Sequence, residues 1–119
     1  MGHSQSLDKA QPFISVLGDA AAARFFLNYG GSTLYLAQAP TAQSTFVREI
    51  GFDKTVALAQ KLGSGNIKIP IAKLWLAQYY VETKGWSKAK AARIIRVDEA
   101  TIRRWLSPGA ANNQLSLFD

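Results

Sequence analysis

The sequence predicts a mainly α-helical fold with a two-stranded antiparallel β-ribbon and a C-terminal helix-turn-helix. Three observations support this. Apolar residues recur at helical spacing, an internal repeat places two short alternating segments at equivalent positions, and a basic helical pair occupies residues 87–106. The expected organisation is a flexible N-terminal arm (1–12), a helix-strand-helix repeat core for dimerisation or pseudo-dimerisation (13–84), the helix-turn-helix (85–106) and a flexible tail (107–119).

The internal repeat has an offset of 33 residues, as from Gly18 to Gly51. The other matching pairs are Leu17 with Ile50, Gly30 with Gly63, Leu34 with Ile67, Leu36 with Ile69 and Glu49 with Glu82. Each copy predicts a helix, a glycine turn, a short strand and a further helix. The first helices are predicted over Gly18–Tyr29 and Asp53–Leu62, and the long helix after the second strand over Ile71–Thr83.

The predicted strands are Thr33–Ala37 and Asn66–Ile69, with leucine and isoleucine on the inner face and Tyr35 and Lys68 on the outer face. A short strand is unstable alone, so the two are expected to pair across a pseudo-twofold axis. Glycines are expected to end the preceding helices in left-handed conformations; these are Gly30, Gly31, Gly63 and Gly65. A chance recurrence in a short helical protein is the alternative interpretation.

The helix-turn-helix pattern runs from Ser87 to Leu106, and Asp98 is the predicted N-cap of its second helix. Apolar residues are spaced to face each other across the two helices; these are Ala92, Ile95, Val97, Ile102 and Trp105. Arg96 stands at the turn position usually held by glycine, where positive φ costs arginine more. The remaining surface is cationic, which suits the phosphates and major groove of DNA; a solvated basic hairpin is the alternative.

Roles in DNA binding follow from this geometry. The side chains expected at base edges are Glu99, Ala100 and Arg103. The side chains expected at the phosphate backbone are Lys88, Lys90, Thr101 and Arg104, and Arg93 and Arg96 complete the basic surface. Double-stranded DNA is therefore the expected partner.

Other function classes find little support. The chain has no cysteine and one histidine, His3, so the sequence predicts no enzyme activity, no cofactor and no metal site. Its longest apolar stretch, near residues 69–81, is too short and too interrupted to span a bilayer. A cytoplasmic protein with no membrane association is expected, and no signal peptide is evident.

The segment Leu62–Pro70, followed by a long helix and the helix-turn-helix, resembles the Mor/C family of transcription activators from Mu-like bacteriophages. The resemblance covers roughly Glu49 to Leu106. It implies a dimerisation core, a homodimer, and promoter binding beside RNA polymerase, with Asn66 and Lys68 at the DNA backbone. The family usually places a basic residue and a glycine after the proline, where Ile71-Ala72 stand here.

The tail ends in a segment that resembles the pentapeptide by which bacterial replication and repair proteins bind the sliding clamp. The matching residues are Gln114, Leu115, Ser116, Leu117 and Phe118. A short apolar segment on a flexible tether is a common recognition mode, and folding back onto the chain's own core is the alternative. The leading prediction is a sequence-specific transcriptional regulator of a phage or mobile element. The alternative is a clamp-tethered accessory, or an inhibitor, of replication or recombination.

Overall fold

A computed structural model describes the backbone of residues 2–107 and the side chains of residues 9–107. It confirms the predicted fold class, because helices predominate and the strands form one two-stranded antiparallel sheet. The chain divides into two compact units, the first ending at Ala72 and the second beginning at Lys73. This boundary precedes the break predicted after residue 84, because the long helix packs with the helix-turn-helix.

The first unit contains four helices and both strands. They are α1 (Gly2–Leu17), α2 (Asp19–Tyr29), β1 (Thr33–Leu36), α3 (Thr45–Ile50), α4 (Phe52–Leu62) and β2 (Gly65–Lys68). A flexible arm was predicted over residues 1–12, but residues 2–12 belong to α1, which continues through Pro12. The helix persists because Ala10, Phe13 and Leu17 lie on one face and are buried.

The repeat is visible in the arrangement of the helices. Helices α2 and α4 each have 11 residues, and each follows a glycine of nearly the same conformation: φ 83° and ψ 162° at Gly18, φ 90° and ψ 161° at Gly51. This region of backbone conformation is accessible essentially only to glycine. Each copy therefore has the order helix, glycine, helix, strand. These are α1, Gly18, α2 and β1 in the first copy, and α3, Gly51, α4 and β2 in the second.

Strands β1 and β2 pair antiparallel, with Thr33 opposite Lys68 and Leu36 opposite Gly65. The pairing continues past β2, because the backbone N–H of Ile69 donates to the oxygen of Ser32 at 2.8 Å. The predicted alternation is confirmed. The inner face carries half-buried or buried residues, namely Leu34, Leu36, Ile67 and Ile69, and the outer face carries exposed residues, namely Thr33, Tyr35, Asn66 and Lys68.

The core of the first unit is aromatic. Phe13 of α1 lies 6.0 Å from Phe25 and 5.8 Å from Phe26 of α2, measured between ring centroids, and Phe25 lies 5.6 Å from Phe46 of α3. All four phenylalanines are buried. Such ring pairs contribute beyond the area that they bury, so the three helices share one apolar cluster.

Gly31, Gly63 and Gly65 have positive φ as predicted, but Gly30 does not, since its φ is −53°. Gly30 is required for a different reason. A Cβ atom at this position would lie 2.6 Å from the backbone oxygen of Phe26 and 3.1 Å from that of Pro70. Close backbone approach, not handedness, therefore excludes a side chain at Gly30.

The second unit contains α5 (Lys73–Gln78), a π-helical turn (Tyr79–Thr83), α6 (Lys88–Ile95) and α7 (Glu99–Leu106). The helix predicted over Ile71–Thr83 starts two residues later, because Ala72 has a φ of 53° and cannot be helical there. Its aromatic residues pack as predicted, since Tyr79 and Tyr80 are buried and the Trp75 ring stacks on Tyr79 at 5.5 Å.

Candidate nucleic-acid interface

The turn between α6 and α7 has the left-handed conformation that the helix-turn-helix pattern predicts. Arg96 has φ 73° and ψ 49°, and its N–H donates to the oxygen of Ala92 at 2.8 Å. The N–H of Val97 donates to the same oxygen at 3.1 Å, and Lys73 Nζ donates to the oxygen of Arg96 at 3.3 Å. Arginine therefore occupies a position that costs an L-residue about 1–2 kcal/mol.

The two helices begin in different ways. The backbone N–H of Lys90 donates to Ser87 Oγ at 3.1 Å, so this hydroxyl caps α6. Asp98 occupies the predicted N-cap position of α7, but its side chain makes no capping hydrogen bond. Only its backbone oxygen takes part, accepting from the N–H of Thr101 at 3.0 Å. The carboxylate of Asp98 remains exposed at the positive end of the helix dipole.

The apolar faces of α6 and α7 are buried as predicted. Ala92, Ile95 and Ile102 are buried, and Val97 and Trp105 are half-buried. Sequence reasoning missed Ala91, which is fully buried and lies four residues before Ile95 on the same helix face. The four-residue spacing from Ile95 could have identified Ala91 as a core residue from the sequence.

The predicted cationic surface is exposed throughout. Its six members are Lys88, Lys90, Arg93, Arg96, Arg103 and Arg104. Of the other three predicted DNA contacts on α7, Glu99 and Ala100 are exposed and Thr101 is half-buried. Two acidic residues, Asp98 and Glu99, lie within the same 20 residues. The module therefore carries an excess of positive charge on the surface left by its apolar packing.

Two of the predicted base-contacting side chains contact each other. Arg103 Nη1 lies 3.0 Å from Glu99 Oε2, and the side chains retain 57% and 47% of their exposure, respectively. The pair is an i, i+4 ion pair within α7, and exposed pairs of this type contribute only about 0.3–0.5 kcal/mol to stability. Sequence reasoning missed this pair, although its spacing was a sufficient signal.

Lys90 has a defined position because it lies against an aromatic ring. Its Nζ is 4.5 Å from the centroid of the Trp86 ring, and Trp86 stacks on the buried Tyr80 at 4.0 Å and 15°. A cation over an indole face is attracted by the ring quadrupole. Sequence reasoning missed Trp86 as the residue that holds this cation at the start of α6.

Lys68 and Asn66 lie in the other unit, on the outer face of the ribbon and next to the 63%-exposed Tyr35. Lys68 also lines an open cavity of about 230 Å³ together with Lys9 of α1 and residues 69–72. The two lysines bring positive charge to this cavity, and its other lining residues, 69–72, are apolar.

The clamp-binding prediction on Gln114, Leu115, Ser116, Leu117 and Phe118 lies outside the described residues. Within the part of the chain that the structure describes, acidic, cysteine and histidine side chains form no group of three suited to a metal ion. Across that same part, no helix is long and apolar enough to cross a membrane.

Comparisons of the chain with protein-family models, with curated proteins and with solved structures find no match.

Proposed function

We propose that this protein is a sequence-specific transcriptional regulator that binds duplex DNA through α6 and α7. One observation carries the proposal. The apolar faces of the two helices are buried where they contact each other and α5, and all six cations of residues 87–106 remain exposed. Phosphate contacts from such side chains supply affinity, and base-edge contacts from the second helix supply sequence preference.

In this proposal the N-terminal half of α7 enters the major groove. Arg103 is the principal base-reading side chain, because arginine bonds guanine O6 and N7 with two donors. Ala100 is exposed one turn earlier and fits the methyl group of thymine. Lys88, Lys90 and Arg104 bind phosphates. Because Lys90 already lies over the Trp86 ring, its side chain loses less conformational entropy when it binds a phosphate.

The test is selection of binding sites from a random duplex pool with the full chain at about 0.15 M salt, near physiological ionic strength. We expect an enriched sequence bound at least about 10³-fold more tightly than random DNA. Arg103→Ala should abolish preference at one base pair, at a cost of about 1–3 kcal/mol. Arg104→Ala should instead weaken all sequences alike and lower the salt slope by about one.

The matched control is Arg24→Ala, which removes an exposed arginine of α2 in the other unit. It changes net charge by the same amount as Arg103→Ala, and we expect it to leave base preference unchanged. A wild-type chain that enriches no sequence would contradict the proposal.

Activation at a phage-type promoter beside RNA polymerase, in the cytoplasm of a bacterial host, is the finer part of the proposal. It is supported by the resemblance of residues 49–106 to Mor-like activators. Transcription in vitro from a promoter that carries the selected site tests it. Addition of the chain should increase transcript, and a decrease would identify a repressor instead.

A second candidate function is a clamp-tethered accessory of replication or recombination. It is favoured by the five-residue match at the tail, Gln114–Phe118. Binding of the full chain to a bacterial sliding clamp tests it, with Leu117→Ala/Phe118→Ala as the variant and Asn112→Ala/Asn113→Ala as the control. Loss of micromolar binding in the variant alone would support tethering, and absence of wild-type binding would exclude it.

A further inference from the structure

We propose that Glu99 is a positioning residue that sets sequence specificity by holding Arg103, an inference that rests on the proposed function. The observation is the contact of 3.0 Å between Glu99 Oε2 and Arg103 Nη1 on the exposed surface of α7. The pair lies in the helix that presents base-reading side chains in a helix-turn-helix. An exposed pair of this kind contributes little to the stability of the fold, so folding alone does not account for it.

The ion pair with Glu99 changes the charge that Arg103 presents to DNA. An unpaired arginine on a basic helix binds any phosphate, which strengthens binding to every sequence alike. The carboxylate of Glu99 neutralises Arg103 locally and is itself repelled by phosphates. Non-specific complexes therefore lose an attraction and gain a repulsion, and this raises the ratio of specific to non-specific affinity.

The contact with Glu99 also restricts the orientation of the Arg103 guanidinium group. The guanidinium group has five N–H donors in a planar arrangement, and the contact with Glu99 engages one terminal nitrogen, Nη1. Donors on Nη2 and Nε remain for O6 and N7 of guanine. Side chains of a helix lean toward its N-terminus, and Glu99 lies one turn N-terminal to Arg103. The pair therefore holds the guanidinium over the first turn of α7.

Asp98 provides a matched control. It is the neighbouring residue, carries the same charge, is exposed, and makes no side-chain capping hydrogen bond. Removing either carboxylate changes the net charge of the module by one. Only the removal of Glu99 releases Arg103.

The experiment repeats the binding-site selection with Glu99→Ala, Arg103→Ala and Asp98→Ala in the full chain. We expect Glu99→Ala and Arg103→Ala to lose preference at the same base pair. Glu99→Ala should bind random DNA several-fold more tightly, with a salt slope steeper by about one phosphate contact, and its specificity ratio should fall roughly tenfold or more. Asp98→Ala should keep the preference at that base pair.

Three outcomes would overturn the inference while leaving the proposed function intact. Glu99→Ala relaxing a different base pair would show that Glu99 reads a base directly. Unchanged preference in Glu99→Ala would show that Arg103 needs no partner. Equal loss in Asp98→Ala would show that charge alone matters.

Glu99→Gln, which keeps a hydrogen-bond acceptor, should show an intermediate loss and replaces Glu99→Ala if that variant unfolds. A wild-type chain without any preference would instead refute the proposed function itself.

Discussion

Replacing Arg96 with glycine should stabilise the second unit while weakening DNA binding. Arg96 has φ 73° and ψ 49°, a conformation that costs an L-residue about 1–2 kcal/mol and costs glycine nothing. Glycine also has more conformational freedom in the unfolded chain, which offsets about 0.4–1 kcal/mol of the relieved strain. The net gain in the free energy of unfolding is therefore about 1 kcal/mol. The contact from Lys73 Nζ survives, because it is made to the backbone oxygen of residue 96.

Denaturant titration followed by tryptophan fluorescence measures this effect in the correct unit. All three tryptophans of the chain lie there, at Trp75, Trp86 and Trp105. Arg96→Ala should leave stability within about 0.5 kcal/mol of wild type, because alanine pays the same left-handed cost as arginine. Arg93→Gly, in the right-handed interior of α6, should lose about 1 kcal/mol.

DNA affinity should decrease in the same variants, in contrast to the increase in stability expected for Arg96→Gly. Arg96→Gly and Arg96→Ala both remove an exposed cation, so each should lower the slope of log affinity against log salt by about 0.9. The reasoning about backbone strain would be refuted if Arg96→Gly were no more stable than Arg96→Ala. The assignment of Arg96 to a phosphate would be refuted if neither variant changed the slope.

Three further predictions concern caps, close contacts and assembly. Ser87→Ala should reduce the stability of the second unit by about 1 kcal/mol in the fluorescence titration, whereas Asp98→Ala should cost clearly less, because only the Ser87 side chain accepts a capping hydrogen bond. Gly30→Ala should lower the melting temperature measured by circular dichroism, with a loss of about 1–3 kcal/mol, because its Cβ would collide with the backbone oxygens of Phe26 and Pro70; an unchanged melting temperature would contradict this packing. The chain should sediment at its monomer mass of 13.0 kDa, because both strands of the ribbon come from one chain; a dimer at micromolar concentration would show that another surface associates.

The sequence was sufficient to predict the parts of the fold that local signals determine. Ser87 and Asp98 mark the starts of α6 and α7, and the spacing of Ile95 and Ile102 identifies the face that is buried. The alternation in the two strands predicts the faces of the ribbon because its period is two in any sheet.

Features that depend on distant partners were not predictable in this way. Helix α1 is stabilised by the burial of Phe13 against α2, so its polar first half resembles a free arm when the sequence is considered alone. Helix α5 starts after Ala72 because this residue has a positive φ, which alanine rarely adopts. At the candidate site, the buried faces of α6 and α7 were enough to predict which cations are exposed. The pairing of Glu99 with Arg103 is local as well, and its i, i+4 spacing was the signal that was missed.

Containing both copies of the repeat in one chain removes a constraint that identical subunits must obey. In an assembly of identical subunits every substitution enters all copies at once and must suit each of them. Here equivalent positions already face different demands, because Gly30 is required by close backbone contact, whereas Gly63 is required by a φ of 80° with open space around it. Each copy can therefore change independently while the shared ribbon is kept. The unit built from this repeat is free to evolve two unlike surfaces, one on each copy.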